Sequence, residues 1–240
     1  MTPSHILTKS KQFINDKSIN KEPTKSQSLT DQLIETIVNG QYPAGSKISE
    51  ADLAKTFQVS RGPLREAIMK VQSLGLVEKV PHVGARVVKL SKSKLTEIYS
   101  VREALEGMAA NLACQHITTA EIEALTALLE QHKVHINSVD GNSYCKQQGN
   151  DDFHYLIIKA SRNSKLITLL CDELYHLQRM YRYQSPQTHS RPEIALQEHE
   201  HILFAIKNRD AELAEMLMRR HIKRSRMLLE AQLADSAPIR

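Results

Sequence analysis

His154, His199 and His221 are the side chains of this sequence best placed to bind a ligand. Each falls on the apolar side of a different helical stretch. His199 shares a face with Ala195, Ile202, Leu203 and Ile206. His221 shares one with Ala214, Leu217, Met218 and Leu228, and His154 lies beside Ile157 and Ile158. Asn150 precedes His154 by one turn on the same side. Bundles build metal sites in this way, from inward side chains on facing helices. Imidazole with added oxygen donors suits zinc, nickel, copper or iron. Taken singly, such a histidine fits better as a satisfied core residue than as a ligand, and spacing does not show that the three converge. His201, about 200° around the helix from His199, should face solvent.

A second group breaks the apolar pattern. Leu95, Ile98, Leu105, Ala109, Leu112 and Ala113 recur at helical spacing, and Arg102 and Glu106 lie on the same stripe. A buried charge needs a partner. One reading pairs Arg102 with Glu106 one turn away, or bridges a subunit interface. The other holds the guanidinium ready for a ligand carboxylate. Both stay open. Arg179 and Arg182, near the end of a later helix, read as a solvated face more readily than as a cavity border.

A third group is cationic. In Ser60–Leu74, the stretch SRGPLREAIMKVQSL, Leu64, Ile68 and Val71 form the buried side, and Arg61 and Arg65 stand one turn apart off it. Ser60 is placed to cap the helix. Guanidinium forks match guanine O6/N7, and helix starts favour phosphate. Alone, two such arginines describe an ordinary solvated face.

The flanking elements change that reading. Residues 48–58 form a second short helix with Ser49 and Asp52 as a capping pair, and a three-residue turn joins it to the first, giving a helix-turn-helix. Leu29–Asn39 supplies a preceding helix. After Gly75, a β-ribbon around Gly84 carries Lys79, His82 and Arg86 as a basic wing. A helix, a helix-turn-helix and a basic wing in about sixty residues read as a nucleic-acid binder.

Beyond a short polar link at Leu90–Lys94 the pattern is helical throughout. Expected helices span 93–115, 119–137, 144–161, 164–183, 191–208 and 210–233, an antiparallel bundle of about six. The fold class is therefore mainly α: a leader at 1–27, polar and disordered; a winged helix-turn-helix at 28–90; and a helical bundle at 91–240. Net charge is +5 over 240 residues. Residues 1–90 hold 13 Lys/Arg against 8 Asp/Glu, and the remainder hold 19 of each, so the whole excess sits where a polyanion would bind. The three cysteines, Cys114, Cys145 and Cys171, form no metal pair or disulfide framework, which suits a reducing cytoplasm. No apolar run is long enough to cross a membrane.

The run LAKTFQVSRGPLREAIMKVQSLGLVEKVPHVGARVV resembles the winged helix-turn-helix of the GntR family of bacterial transcription regulators. The resemblance implies that Ser60, Arg61 and Arg65 contact DNA and that Gly84 forms a wing tip entering the minor groove. A basic residue common in the family is Ala51 here, so a phosphate contact is missing. The runs VREALEGMAANLA, NDDFHYLIIKASRN, EHEHILFAI and LMRRHI resemble the ligand-sensing FCD domain of the FadR-like branch. That resemblance implies metal ligands at Asn150, His154, His199 and His221, with zinc or nickel the favoured ion. Asn150 stands where an aspartate is common, and its neutral amide is the weaker donor. The expected protein is a cytoplasmic homodimeric regulator, more often a repressor, bound to a near-palindromic duplex and responsive to a small carboxylate that reaches the metal and Arg102. A metal-dependent hydrolase or lyase, and a regulator whose metal-free bundle only dimerises, are the alternatives.

Overall fold

Apolar residues at helical spacing in the first third build a small three-helix unit. The computed structural model describes residues 25–81, 84–138, 152–184 and 192–235. α1 (Lys25–Val38) presents Leu33, Ile34 and Ile37 inward. It begins at Lys25, inside the stretch expected to be leader. α2 (Glu50–Thr56) is capped by Ser49, whose hydroxyl accepts from the Asp52 amide. The turn to α3 (Arg61–Ser73) passes through Gln58 at φ +53°, a left-handed residue that reverses the chain in three positions. Leu64, Ala67, Ile68 and Val71 pack α3 onto α1 and α2. Each fully buried aliphatic side chain contributes about 1.5–3 kcal/mol here. β1 (Val77–Val80) and β2 (Gly84–Val87) form the antiparallel wing, with Val77 opposite Val87 and Val80 opposite Gly84.

Ser91 caps α4 (Lys92–His116), its hydroxyl accepting from the Lys94 amide. There follow α5 (Thr119–Ser138), α6 (Phe153–Ala160), α7 (Ser164–Ile167), a π-helical turn at Thr168–Glu173, α8 (Tyr175–Gln184), α9 (Pro192–Lys207) and α10 (Ala211–Asp235). α4 and α10 pack along one another. They approach closely at Gly107, where a Cβ would fall 2.6 Å from Cγ of Arg219. Among the described residues no helix is long and apolar enough to cross a membrane.

Two expected helices are corrected. The stretch expected as 144–161 starts at Phe153, because Asp152 is extended at φ −103°, ψ 115° and caps α6, its carboxylate accepting from the His154 and Tyr155 amides. An aspartate side chain that satisfies the first-turn amides competes with helix continuing through it. Asn150 lies outside the described residues, as do Asp151, Cys145 and the leader up to residue 24. The stretch expected as 164–183 is helical but not uniform. The Leu174 amide donates to the Leu169 carbonyl, five residues back, so a π turn separates α7 from α8. Asn163 caps α7 through its side-chain oxygen.

Candidate metal centre and DNA-reading face

α6, α9 and α10 each project one imidazole to a common point. The Nε2 atoms of His154, His199 and His221 are mutually 3.2 Å apart, and all three residues are buried. A zinc-like ion bonded at about 2.1 Å to three nitrogens separates them by about 3.0 Å at right angles and about 3.4 Å at tetrahedral angles. The observed triangle falls between the two, so the donor set fits a divalent transition ion. His201, on the far side of α9, is exposed.

Acidic side chains behind the triangle decide which ring nitrogen faces it. Glu106 Oε2 lies 2.8 Å from His154 Nδ1, and Glu198 Oε2 lies 2.8 Å from His221 Nδ1. Burial alone would push Glu106 up, but the Arg102 charge and the hydrogen bonds from Arg102 and His154 outweigh it and hold the carboxyl down at about 2. An ionised carboxylate only accepts, so His154 Nδ1 carries the proton and its Nε2 lone pair points inward. The same geometry applies at His221. Arg102 in turn donates from Nε to Glu106 Oε1 at 2.6 Å and lies 4.5 Å over the Tyr99 ring, and Arg224 pairs with Glu198. Phe153 stacks on His199 with centroids 4.3 Å apart.

Of the two readings of Arg102, the structure displays the intrahelical pair: its side chain and that of Glu106 are each only 2% exposed. Both Glu106 oxygens are engaged, one by Arg102 and one by His154. The expectation of a solvated face at Arg179 and Arg182 is corrected. Arg179 is buried and forms a two-pronged pair with Glu35 of α1, at 2.6 and 2.9 Å, and Arg182 donates to Asp152 at 3.0 Å. Their place near the end of a helix suggested solvent, but Glu35 of α1 and Asp152, the cap of α6, pair with them.

Three histidines, His199, His221 and His176, resist protonation. Burial, reinforced by the neighbouring imidazoles, drives His199 well below the ordinary histidine range. Burial also lowers His221, despite Glu198. Burial and the nearby Arg179 charge bring His176 down to about 4. In the metal-free protein these groups stay neutral while the unfolded chain takes up protons near pH 6.5, so the unfolded state binds more protons and stability falls as pH drops through that value. Each group contributes a slope of up to about 1.4 kcal/mol per pH unit. Glu106 acts in a separate window: its contribution is complete above about 4.5 and lost only as pH falls toward 2. Chelator-treated protein should therefore melt several degrees lower at pH 5.5 than at pH 7.5, and a flat profile would contradict the burial of these rings.

The cations of α3 lie at the surface of the winged unit. Arg61 opens α3 and is exposed, and Arg65 is 65% exposed with Nε 3.1 Å from Glu50. Ser60 occupies the N-cap without a side-chain capping bond, contrary to the expected hydroxyl cap. Gly84 sits at φ +98°, with no atom within 4 Å of where a Cβ would lie, so its backbone angle rather than crowding favours glycine. Arg86 differs from its reading as a wing contact. Its Nη1 donates to the Gly45 carbonyl at 2.8 Å, and its backbone pairs with Lys47, so the side chain fastens the ribbon to the loop before α2. His82 lies outside the described residues.

Comparison with known proteins bears on both faces. Residues 25–87 match the family described as bacterial regulatory proteins, gntR family, and residues 97–224 match the FCD domain. The chain belongs to the GntR family, in its FCD-domain form. This regulator is 29% identical over 211 residues to an HTH-type transcriptional regulator of Bacillus subtilis, YdhC, spanning 87% of this chain and 92% of that protein. It is 33% identical over 128 residues to the gluconate operon transcriptional repressor of the same organism, about half of each chain. The E. coli McbR/YncC structure has the same fold, with a TM-score of 0.71 at 20% identity over 86% of this chain and 97% of that one. A family of DNA-binding transcription regulators removes the hydrolase or lyase alternative.

Within this GntR-family regulator, sequence reading singled out Glu106 but missed Glu198, behind His221, and Asp152, which caps the helix of His154. Glu198 sits one position before His199, and nothing local ties it to His221 23 residues away. Asp152 was not singled out, although an aspartate two residues before His154 is a helix-start signal. Replacing Glu106 with Gln should weaken zinc binding about 10- to 100-fold, as loss of a carboxylate behind a ligand does. Competition with a chromophoric chelator measures it, and an unchanged affinity would show that Glu106 does not orient His154.

Proposed function

We propose that this DNA-binding regulator is a repressor whose bundle senses a small carboxylate through a divalent transition ion, zinc or nickel. His154, His199 and His221 hold the ion, which supplies positive charge and open coordination positions to an anionic oxygen. The reading rests on one observation: three buried Nε2 atoms 3.2 Å apart, two of them backed by carboxylates that fix the proton on Nδ1. A packed core gains nothing from three mutually facing ring nitrogens, because buried polar atoms need partners of opposite role. Asn150 remains the proposed fourth donor, by its place in the FCD-like run. Arg102 sets the charge of Glu106, and through it the basicity of His154. Glu106, with both oxygens taken, acts through His154 rather than on the effector.

Hydroxy-acids are the effector class favoured by the relative named for the gluconate operon. A carboxylate with an adjacent hydroxyl would match an ion with more than one open position. DNA is read by Arg61 and Arg65 of α3, with Ser60 free for phosphate and the wing tip at Gly84 entering the adjacent groove. A cytoplasmic homodimer places two such helices on a near-palindromic operator. Ligand binding changes operator affinity only through its preference for one arrangement of the winged units.

Elemental analysis and thermal shift test this together. Gently purified protein should carry about one zinc or nickel per chain, and gluconate or a similar acid should raise its melting temperature only while metal is present. Less than about 0.1 metal per chain, with no zinc- or nickel-dependent shift, would leave the bundle as a dimerisation unit alone.

A further inference from the structure

The outward side of α3 carries more than its two arginines. Arg61, Arg65 and Met69 recur every four residues. Each therefore lies about 40° around the helix axis and about 6 Å along it from the one before. All three are exposed, while Leu64, Ala67, Ile68 and Val71 fill the buried side. Met69 is 69% exposed, more than any other large apolar side chain among the described residues. A single exposed methionine is ordinary. This one stands in the row that carries the guanidinium groups, where a helix that met only water would gain nothing from an apolar chain.

Gly62 bears on the same side. It lies about 20° from Met69 around the axis and about two turns nearer the helix start. No atom lies within 4 Å of where its Cβ would fall. The first turn beside Arg61 is thus bare, and a duplex can approach the α3 backbone closely. The row from Arg61 to Met69 runs about 12 Å, which matches a major groove about 12 Å wide. Within that groove guanidinium forks match guanine, and thymine alone offers a methyl group, which apolar side chains read. Methionine suits that contact, because it is unbranched and polarizable and adapts its path to a neighbour's shape.

We infer that Met69 is a specificity-determining residue of this regulator: its side chain packs on a thymine C5-methyl in the major groove, beside the base pair read by Arg65. The inference rests on the reading of DNA by α3 proposed above, and adds to it the base required at a further position. Arg65 and Met69 are about 6 Å apart along the axis, against about 3.4 Å for one base step, so the thymine lies within about two base pairs of the Arg65 contact.

The probe is a duplex selected from a random pool by the full wild-type chain, with each thymine replaced in turn by deoxyuridine. That replacement removes the methyl and leaves every hydrogen-bonding group in place. For the wild type, at least one replacement should weaken binding about fourfold, the worth of burying one methyl-sized group. Met69→Ala, at an exposed position that the fold does not need, should bind the unmodified duplex at least about fourfold more weakly and should lose its response to that replacement. Arg65→Ala should bind more weakly yet keep the response. Wild-type binding that ignores every replacement overturns the thymine contact, and so does an equal response in Met69→Ala; both leave α3 as the reading helix. Failure of the wild type to select any sequence, or an Arg65→Ala affinity equal to wild type, overturns the DNA reading and this inference together.

Discussion

His199→Ala should strip the bundle of metal, while His201→Ala should leave metal content unchanged. The two residues are two positions apart on α9, and the fold treats them oppositely. His199 is 4% exposed, with Nε2 at 3.2 Å from two other imidazoles, whereas His201 faces solvent. Removing one of three nitrogen donors should cost at least as much as removing a supporting carboxylate, which is worth about 10- to 100-fold in affinity. After dialysis, metal content should drop from about one per chain to below about 0.1. The variant should also lose the stabilisation that bound ion gives the folded state, about 2.7 kcal/mol at a hundredfold excess over the dissociation constant. Equal metal content in the two variants would show that the cluster is only a packed core.

Arg65→Ala should weaken binding to the cognate operator by about 1–3 kcal/mol and relax sequence preference at the contacted base pair. Arg65 is largely exposed, and its link to Glu50 is a surface ion pair, 3.1 Å long with the glutamate 45% exposed. Such a pair is worth about 0–1 kcal/mol, so duplex DNA can take the guanidinium from it at little cost. If Arg65 meets only phosphate, affinity should instead fall uniformly across sequences and the salt dependence should lose about one unit of slope. Unchanged affinity would remove α3 from the interface. Arg86→Ala is a useful contrast, because that side chain is spent on the Gly45 carbonyl and its loss should loosen the wing rather than delete a base contact.

Local signals carried the winged unit well. Ser49 and Asp52 marked the start of α2, the apolar residues of α3 gave its buried face, and Gly84 marked the ribbon turn, because capping and turn chemistry act over three or four residues. In the bundle the same logic set most helix boundaries. It failed at Asp152, where one side chain overrode a helical pattern, and at Thr168–Glu173, where a π turn leaves no clear mark in hydrophobic spacing. It also misread Arg179 and Arg182. Their partners, Glu35 and Asp152, come from elsewhere in the chain.

The order of elements, the excess of cations in the first ninety residues and the inward face of each histidine-bearing helix can all be read along the chain. Those properties depend on the period of a helix and on short-range capping, and both are written in consecutive residues. Tertiary structure alone decided that three imidazoles from α6, α9 and α10 meet, that Glu106 and Glu198 stand behind two of them, and that α8 reaches α1. Each of these is a contact between segments tens of residues apart. A helical period fixes the direction a side chain takes from its own axis, but only the packing of whole helices fixes what it finds there.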